Sequence, residues 1–336
     1  GIHSSPTCTL AFGDNEGAVG YLVGEENKGL QCMFTMMNNA RLSVGHQGVA
    51  LGERAYQQAV AYATDRVQGR ASGVEGRAAI IHHSDVKRML MQMRALTEGG
   101  RAMSYYAIAA EDRSSHHPDE QVRAQSAQMV ELLTPLVKGW CTEVAMESTS
   151  LGVQVHGGMG FIEETGAAQH MRDARILPIY EGTNGIQALD FIGRKCLRDG
   201  GQTVKLLLAD MQATVEQLAS AHGSTVNLRN RLRHSVEQCQ EALNYVLENS
   251  SDSQGIAYNF MMMYGNTVSY WLLVKLAAAA QERLAAGETD RFYNQKIATA
   301  EFFSTQILPR NSGYLATLIL GAGSFDALEP ADFLQA

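Results

Sequence analysis

Apolar residues recur at three- and four-residue spacing through most of this chain, the signature of helices that bury one face. The departure comes at the start. Residues 7–12 and 18–23 read as two short strands, joined by the turn-rich Gly13-Asp14-Asn15-Glu16-Gly17. A lone two-stranded hairpin is marginal in water, so this pair is expected to belong to a sheet whose other strands lie upstream. After the loop at 24–29, a long helix is predicted from Leu30 to about Arg66. Gly45, Gly48 and Gly52 along it suggest close approach of a second helix, which must offset the ~1 kcal/mol that each glycine costs relative to alanine. Beyond a glycine- and arginine-bearing loop at 67–78, Ser84 or Asp85 is placed to cap a helix ending near Arg113. Residues 119–150 form the next helix, with Pro135 a kink or boundary. Short helices follow at 163–172 and 184–197. The turn Asp199-Gly200-Gly201 marks a boundary, and helices are expected at 203–222, 228–249, 254–286 and 290–306, with an apolar piece at 314–320. No internal repeat interrupts this mainly α pattern.

Composition narrows the function classes. The chain has 336 residues, enough for more than one domain, and 45% of them are hydrophobic, enough for a large core. A net charge of −8 with scattered Arg and Lys gives no field for nucleic acid. The five cysteines (Cys8, Cys32, Cys141, Cys196, Cys239) are odd in number and show no CxxC spacing. This suits reduced thiols in a cytoplasmic setting and argues against a disulfide framework or zinc site. No apolar run has membrane-spanning length; the stretch around Trp271 is broken by Lys275 and fits a core helix. The clusters Met33-Phe34-Thr35-Met36-Met37 and Met261-Met262-Met263 are read as adaptable core packing. The histidine pairs His82-His83 and His116-His117 are poorly spaced for two ligands on one helical face, and no metal is expected.

Candidate chemistry concentrates between Val153 and Gly193. Gly157-Gly158-Met159-Gly160 is a turn that lets a bulky anionic group approach backbone. Some twenty residues on, Glu181 stands alone in Ile179-Tyr180-Glu181-Gly182-Thr183-Asn184-Gly185. A glutamate in water, with a pKa of about 4.3, is a poor base, and exclusion from water strengthens it. The residues alone leave two readings open: a base, or an ordinary carboxylate at a helix N-terminus.

Three ordered motifs carry a family resemblance: Gln154-Val155-His156-Gly157-Gly158-Met159-Gly160-Phe161, Met171-Arg172-Asp173-Ala174 and Ile179-Tyr180-Glu181-Gly182-Thr183. With Gly24-Glu25-Glu26-Asn27-Lys28-Gly29-Leu30, Ala40-Arg41 and Tyr62-Ala63 followed by Arg66, the sequence resembles the acyl-CoA dehydrogenases, flavin enzymes that desaturate acyl-CoA thioesters. The resemblance implies the end of a middle β domain at 1–28, a C-terminal four-helix-bundle domain at 29–198, and an additional helical extension at 199–336. That extension resembles a subgroup including the 3-methylmercaptopropionyl-CoA dehydrogenases. The resemblance further implies FAD, held by Arg66, His83, Gln154, Gly157, Gly158 and Thr183. It implies Glu181 as the base that removes the α-proton, and Tyr180 and Arg41 near the acyl-CoA substrate. An electron-transferring flavoprotein and a homodimer or homotetramer are the implied partners. Ser84 and Gly185 stand where many members carry glutamine. The competing expectation is a non-catalytic helical oligomerisation module.

Overall fold

The computed structural model describes residues 1–220 and 223–334. Eleven α-helices are present among them: α1 (Gly29–Asp65), α2 (Ser84–His116), α3 (Glu120–His156), α4 (Gly158–Phe161), α5 (Ala167–Arg175), α6 (Asn184–Leu189), α7 (Gln202–Gln217), α8 (Ser224–Glu248), α9 (Ser253–Ala285), α10 (Arg291–Phe302) and α11 (Arg310–Leu320).

The expected β remnant is not seen. Residues 1–28 contain no strand, and the one β-type pairing among the described residues is the isolated bridge between Val67 and Ala79. The physical reason is the one that made the hairpin doubtful alone: nothing covers its apolar side chains. Val19 and Tyr21 remain 84% and 88% exposed, so pairing would gain no burial.

Three long helices, α1, α2 and α3, pack side by side. The α1 glycines explain the closeness. A Cβ at Gly45 would come within 2.6 Å of Val137, and one at Gly48 within 2.7 Å of the Cys141 carbonyl, both on α3. The first turns of α1 project beyond this packing. Met33, Phe34 and Met36 are therefore exposed, against the core role expected for them. Pro135 neither ends nor interrupts α3, which runs through it with Pro135 buried. Asp119 caps α3, its carboxylate accepting from the Gln121 and Val122 amides. Neither Ser84 nor Asp85 caps α2: His83 takes that position without a side-chain bond, and Asp85 in the first turn instead pairs with Arg88 at 2.8 Å.

The second half wraps around α9. This helix is apolar on every side, with each residue from Phe260 to Val274 buried, as expected of a helix enclosed by others. It contacts α2, α3, α6, α8, α10 and α11. Met261, Met262 and Met263 do fill the core. Lys275 lies outside it, its ammonium over the Trp271 ring at 5.2 Å. The contact with α3 is interlocked. Gly265 leaves room for the Trp140 indole, Gly139 leaves room for Met261, and Trp140 Nε1 donates to Asn266 Oδ1 at 2.8 Å. One continuous core thus includes Leu42, Trp140, Phe191, Tyr264 and Phe303.

The Asp199-Gly200-Gly201 boundary is a tight turn, with Gly200 and Gly201 at φ 67° and 79°. Asp199 accepts from the amides of Gly201, Gln202 and Thr203 and from the Thr203 hydroxyl. Burial pushes its carboxyl up, and these bonds outweigh burial and hold it below the usual range. The following helix was expected to end at His222, which lies outside the described residues; α7 itself stops at Gln217. Cys141, Cys196 and Cys239 are buried and Cys8 and Cys32 exposed, all unpaired. No helix among the described residues is long and apolar enough to cross a membrane.

Candidate functional site

The expected site residues fall into two clusters. The first is at the end of α3, where Gly157 takes φ 61° and ψ −139°, a conformation open to glycine and strained for other residues. It breaks the helix and starts the short α4. A Cβ at Gly157 or Gly158 would meet nothing within 4 Å, so the backbone there faces open space. A cleft of about 280 Å³ adjoins it, lined by Tyr62, Arg66, Gln68, His156, Gly157 and Gly158 among others. Tyr62 and His156 stack across its floor at 4.4 Å. Arg66 is exposed and has no carboxylate partner among the described residues. Gln154 is exposed on the last turn of α3. His83 does not line the cleft; its Nε2 lies 2.8 Å from the carbonyl of Gln68, which does.

The second cluster is the loop before α6. Glu181 has φ 58° and Gly182 φ 87°, so two consecutive residues are left-handed. For Glu181 this costs on the order of 1–2 kcal/mol. A Cβ at Gly182 would lie 2.7 Å from Gln187 Nε2, so glycine is required there on both counts. Arg41, on α1 and 7% exposed, donates from Nε to the Glu181 carbonyl at 3.2 Å and lies 3.9 Å from Asp190. It is thus committed to holding the loop. Thr183 caps α6, its hydroxyl accepting from the Ile186 amide at 3.3 Å, which leaves the hydroxyl proton free to donate. Tyr180 bonds to Gln47 through its hydroxyl at 2.6 Å. Burial pushes the Tyr180 phenol up, with the Glu181 charge adding to the effect.

Two features of Glu181 bear on chemistry. Its Oε2 is buried without a hydrogen-bond partner, a costly state that native structures keep for a reason. Its backbone N–H also has no partner among the described residues. One residue thus offers an acceptor for a proton and a donor for an oxyanion.

The clusters do not meet within this chain. The loop packs on α3 near Glu143, and Gly157 is fourteen positions further along the same helix, about 21 Å at 1.5 Å per residue.

The sequence pattern did not single out the loop's supports. Asn184 is buried, its Oδ1 accepting from Lys138 Nζ at 2.8 Å and its Nδ2 2.8 Å from Glu143 Oε1 and 2.9 Å from Thr142 Oγ1. Lys138 is fully buried, the lone cation in the apolar run Leu136-Val137-Lys138-Gly139-Trp140. That interruption was the available signal. Burial pushes the Lys138 ammonium down to about 8; Arg41 adds to the fall, while Glu143 and Glu181 oppose it. With a folded value of about 8 and an ordinary 10.5, the unfolded chain binds more protons between those pH values. Stability from this group therefore rises with pH across that window. Wild type is expected to gain on Lys138→Met by up to ~3 kcal/mol between pH 8 and 10.5, as measured by denaturant unfolding at a series of pH values.

A helical assembly with an open glycine turn at one end of its central helix and a left-handed glutamate loop part-way along it defines a class. The chain belongs to the acyl-CoA dehydrogenase family: residues 27–197 match the family described as acyl-CoA dehydrogenase, C-terminal domain. Residues 207–329 match the family described as acetyl-CoA dehydrogenase C-terminal like. Among individual relatives, the chain is 49% identical over 316 residues to the 3-methylmercaptopropionyl-CoA dehydrogenase of Ruegeria pomeroyi, covering 92% of this chain and 53% of that protein. It is 34% identical to a broad-specificity linear acyl-CoA dehydrogenase of Mycobacterium tuberculosis, over 92% of this chain and 54% of the relative. The fold matches a crystal structure of an acyl-CoA dehydrogenase complexed with FAD from Bacillus anthracis, with TM-score 0.70 and 22% identity, covering 93% of this chain and 52% of that one. The chain spans about half the length of the relatives it matches. The resemblance in the motifs, including that to the 3-methylmercaptopropionyl-CoA subgroup, is thus upheld over nearly the whole chain.

Proposed function

We propose that this chain supplies the catalytic base and part of the flavin site of an FAD-dependent acyl-CoA dehydrogenase. The observation that carries the reading is the buried, unpartnered Glu181 Oε2. Thioester α-protons are weakly acidic, so their removal needs a positioned base and a stabilised enolate oxygen. Glu181 Oε2 takes the α-proton, and the free Glu181 N–H donates to the thioester carbonyl. Tyr180 and the loop's apolar flank exclude water, and Arg41 fixes the backbone that carries both groups. FAD, when bound, supplies the acceptor for the β-hydride.

The residues present fit such a cofactor. Arg66 is an exposed cation without a carboxylate partner among the described residues, suited to pyrophosphate oxygens. Gly157 and Gly158 leave open space beside their backbone. Gln154 and His83 stand by that cleft, and the free Thr183 hydroxyl proton serves at the other cluster. Because the clusters lie apart on α3, we infer that one flavin draws on more than one chain or segment. A homodimer or homotetramer is the assembly this reading calls on to bring both clusters to one flavin. In this reading the chain divides at residues 28 and 198, acts in the cytoplasm where its five thiols stay reduced, and passes electrons to an electron-transferring flavoprotein.

The test is flavin retention. The purified protein, in its complete form, is expected to absorb in the visible as a flavoprotein. Arg66→Gln is expected to weaken FAD binding by about 10- to 100-fold, the loss of one charge-assisted phosphate contact, as followed by flavin fluorescence. A colourless wild type that does not take up FAD would favour an oligomerisation module instead.

A further inference from the structure

The Glu181 loop rests on a charge that the proposed chemistry does not use. Consecutive left-handed residues at Glu181 and Gly182 persist only where the surroundings over-determine them. Three ties act on the backbone: Arg41 Nε donates to the Glu181 carbonyl, Gln187 Nε2 to the Gly182 carbonyl at 3.3 Å, and the Asn184 amide to the Pro178 carbonyl at 3.0 Å. The fourth tie is the Asn184 side chain, sunk against α3. An amide can turn either end toward a partner, but an ammonium can only donate. Lys138 therefore compels Asn184 to present its oxygen inward, which aims its NH₂ at Glu143 and Thr142.

Lys138 is fully buried and makes no ion pair with a carboxylate among the described residues. The charged and titratable groups around it are Arg41 from α1, Glu143 from α3 and Glu181 from the loop. Beyond these, Asp190 pairs with Arg41 and Arg194, and Tyr258 of α9 meets Glu143. None of these three carboxylates pairs with Lys138 directly.

We propose that Lys138 is a positioning residue for Glu181, acting through the Asn184 amide to lock the left-handed loop that carries the base. The proposal rests on Glu181 being the base. Lys138→Met, Asn184→Ala, their combination and Lys138→Arg are to be compared in the complete flavin-loaded enzyme. Lys138→Met is expected to lower kcat at least about tenfold with KM within about threefold, the pattern of a misplaced group.

Independent of turnover, amide hydrogen exchange over residues 179–187 in the flavin-free protein should accelerate at least about tenfold in Lys138→Met and in Asn184→Ala. The double variant should add little to either, as expected for one coupled unit. Lys138→Arg should restore exchange protection in part. Wild-type exchange in folded Lys138→Met would overturn the proposal, as would additive single effects. If Lys138→Met fails to fold, Asn184→Ala decides: wild-type loop exchange there sinks it. Glu181→Gln separates the two ideas. Retained turnover in that variant removes the base reading, whereas an inactive Glu181→Gln beside a wild-type-like Lys138→Met removes this inference alone.

Discussion

Glu181→Gln is expected to lower kcat of the complete flavin-loaded enzyme by roughly 10²–10⁴-fold, the range that a positioned general base contributes. The replacement keeps the side chain's shape and the backbone N–H, and removes only the capacity to take a proton. KM for the acyl-CoA should change little, since the oxyanion donor stays in place. Flavin content should also be unaffected, because the proposed flavin cleft at Gly157 lies some fourteen positions along α3 from the loop's seat at Glu143. Single-turnover flavin bleaching with an acyl-CoA, monitored in the visible, checks both points. Turnover within about tenfold of wild type would remove Glu181 from the role, since the smallest effect expected of a base exceeds it.

Trp140→Ala is expected to destabilise the fold by about 3–5 kcal/mol, the cost of deleting a fully buried large aromatic side chain. Trp140 is 0% exposed. Its indole occupies the space left by Gly265, and its loss also strips Asn266 Oδ1 of the donor at 2.8 Å. Asn266 keeps one bond, Nδ2 to Asn311 Oδ1 at 2.9 Å, inside a buried polar set that includes Ser235 and Thr267. The damage should therefore reach α8 and α11 as well as α3. Equilibrium denaturation of wild type and variant reads the difference. A loss below about 1 kcal/mol would mean that the α3–α9 contact rearranges freely, contrary to a tightly packed interior.

Much of the helical framework was legible because its signals are local and repeat. The period of apolar positions located α1, α2, α3, α8 and α9 to within a few residues, except that α3 runs on to His156. Gly45 and Gly48 announced the close approach of α1 to α3 because a missing Cβ leaves few other reasons to keep glycine in a helix. The N-terminal segment, which carries no strand here, is the opposite case. Alternation at 7–12 and 18–23 expresses a preference for a covered surface, and no covering surface is present to satisfy it. Pro135 suggested a boundary by its own chemistry, yet burial among α3's neighbours holds the helix through it.

The site shows the same division. Glu181 and the Gly157–Gly158 turn stood out as unusual residues in short motifs. Lys138, Asn184 and Gln187 did not, because their role exists only where α3, α1 and the loop meet. A lysine in an apolar run reads equally as a chain that snorkels to solvent. Its burial and its partner on a segment 46 positions away are tertiary facts. Arg41 was placed near the substrate by resemblance, whereas its guanidinium is turned to the Glu181 carbonyl and Asp190.

The glycine sockets on α3 and α9 have a consequence for how such proteins can diverge. Trp140 requires a glycine opposite at 265, and Met261 requires one at 139, so each helix carries both a knob and a notch for the other. A side chain added at Gly265 meets the Trp140 indole and one at Gly139 the end of the Met261 side chain, so a change on one helix is felt on the other. Drift in the leading and trailing halves of the chain is therefore tied. A chimera joined at the Gly200-Gly201 turn, where the sequence invites a cut, would inherit a mismatched lock unless both parents shared the same four residues.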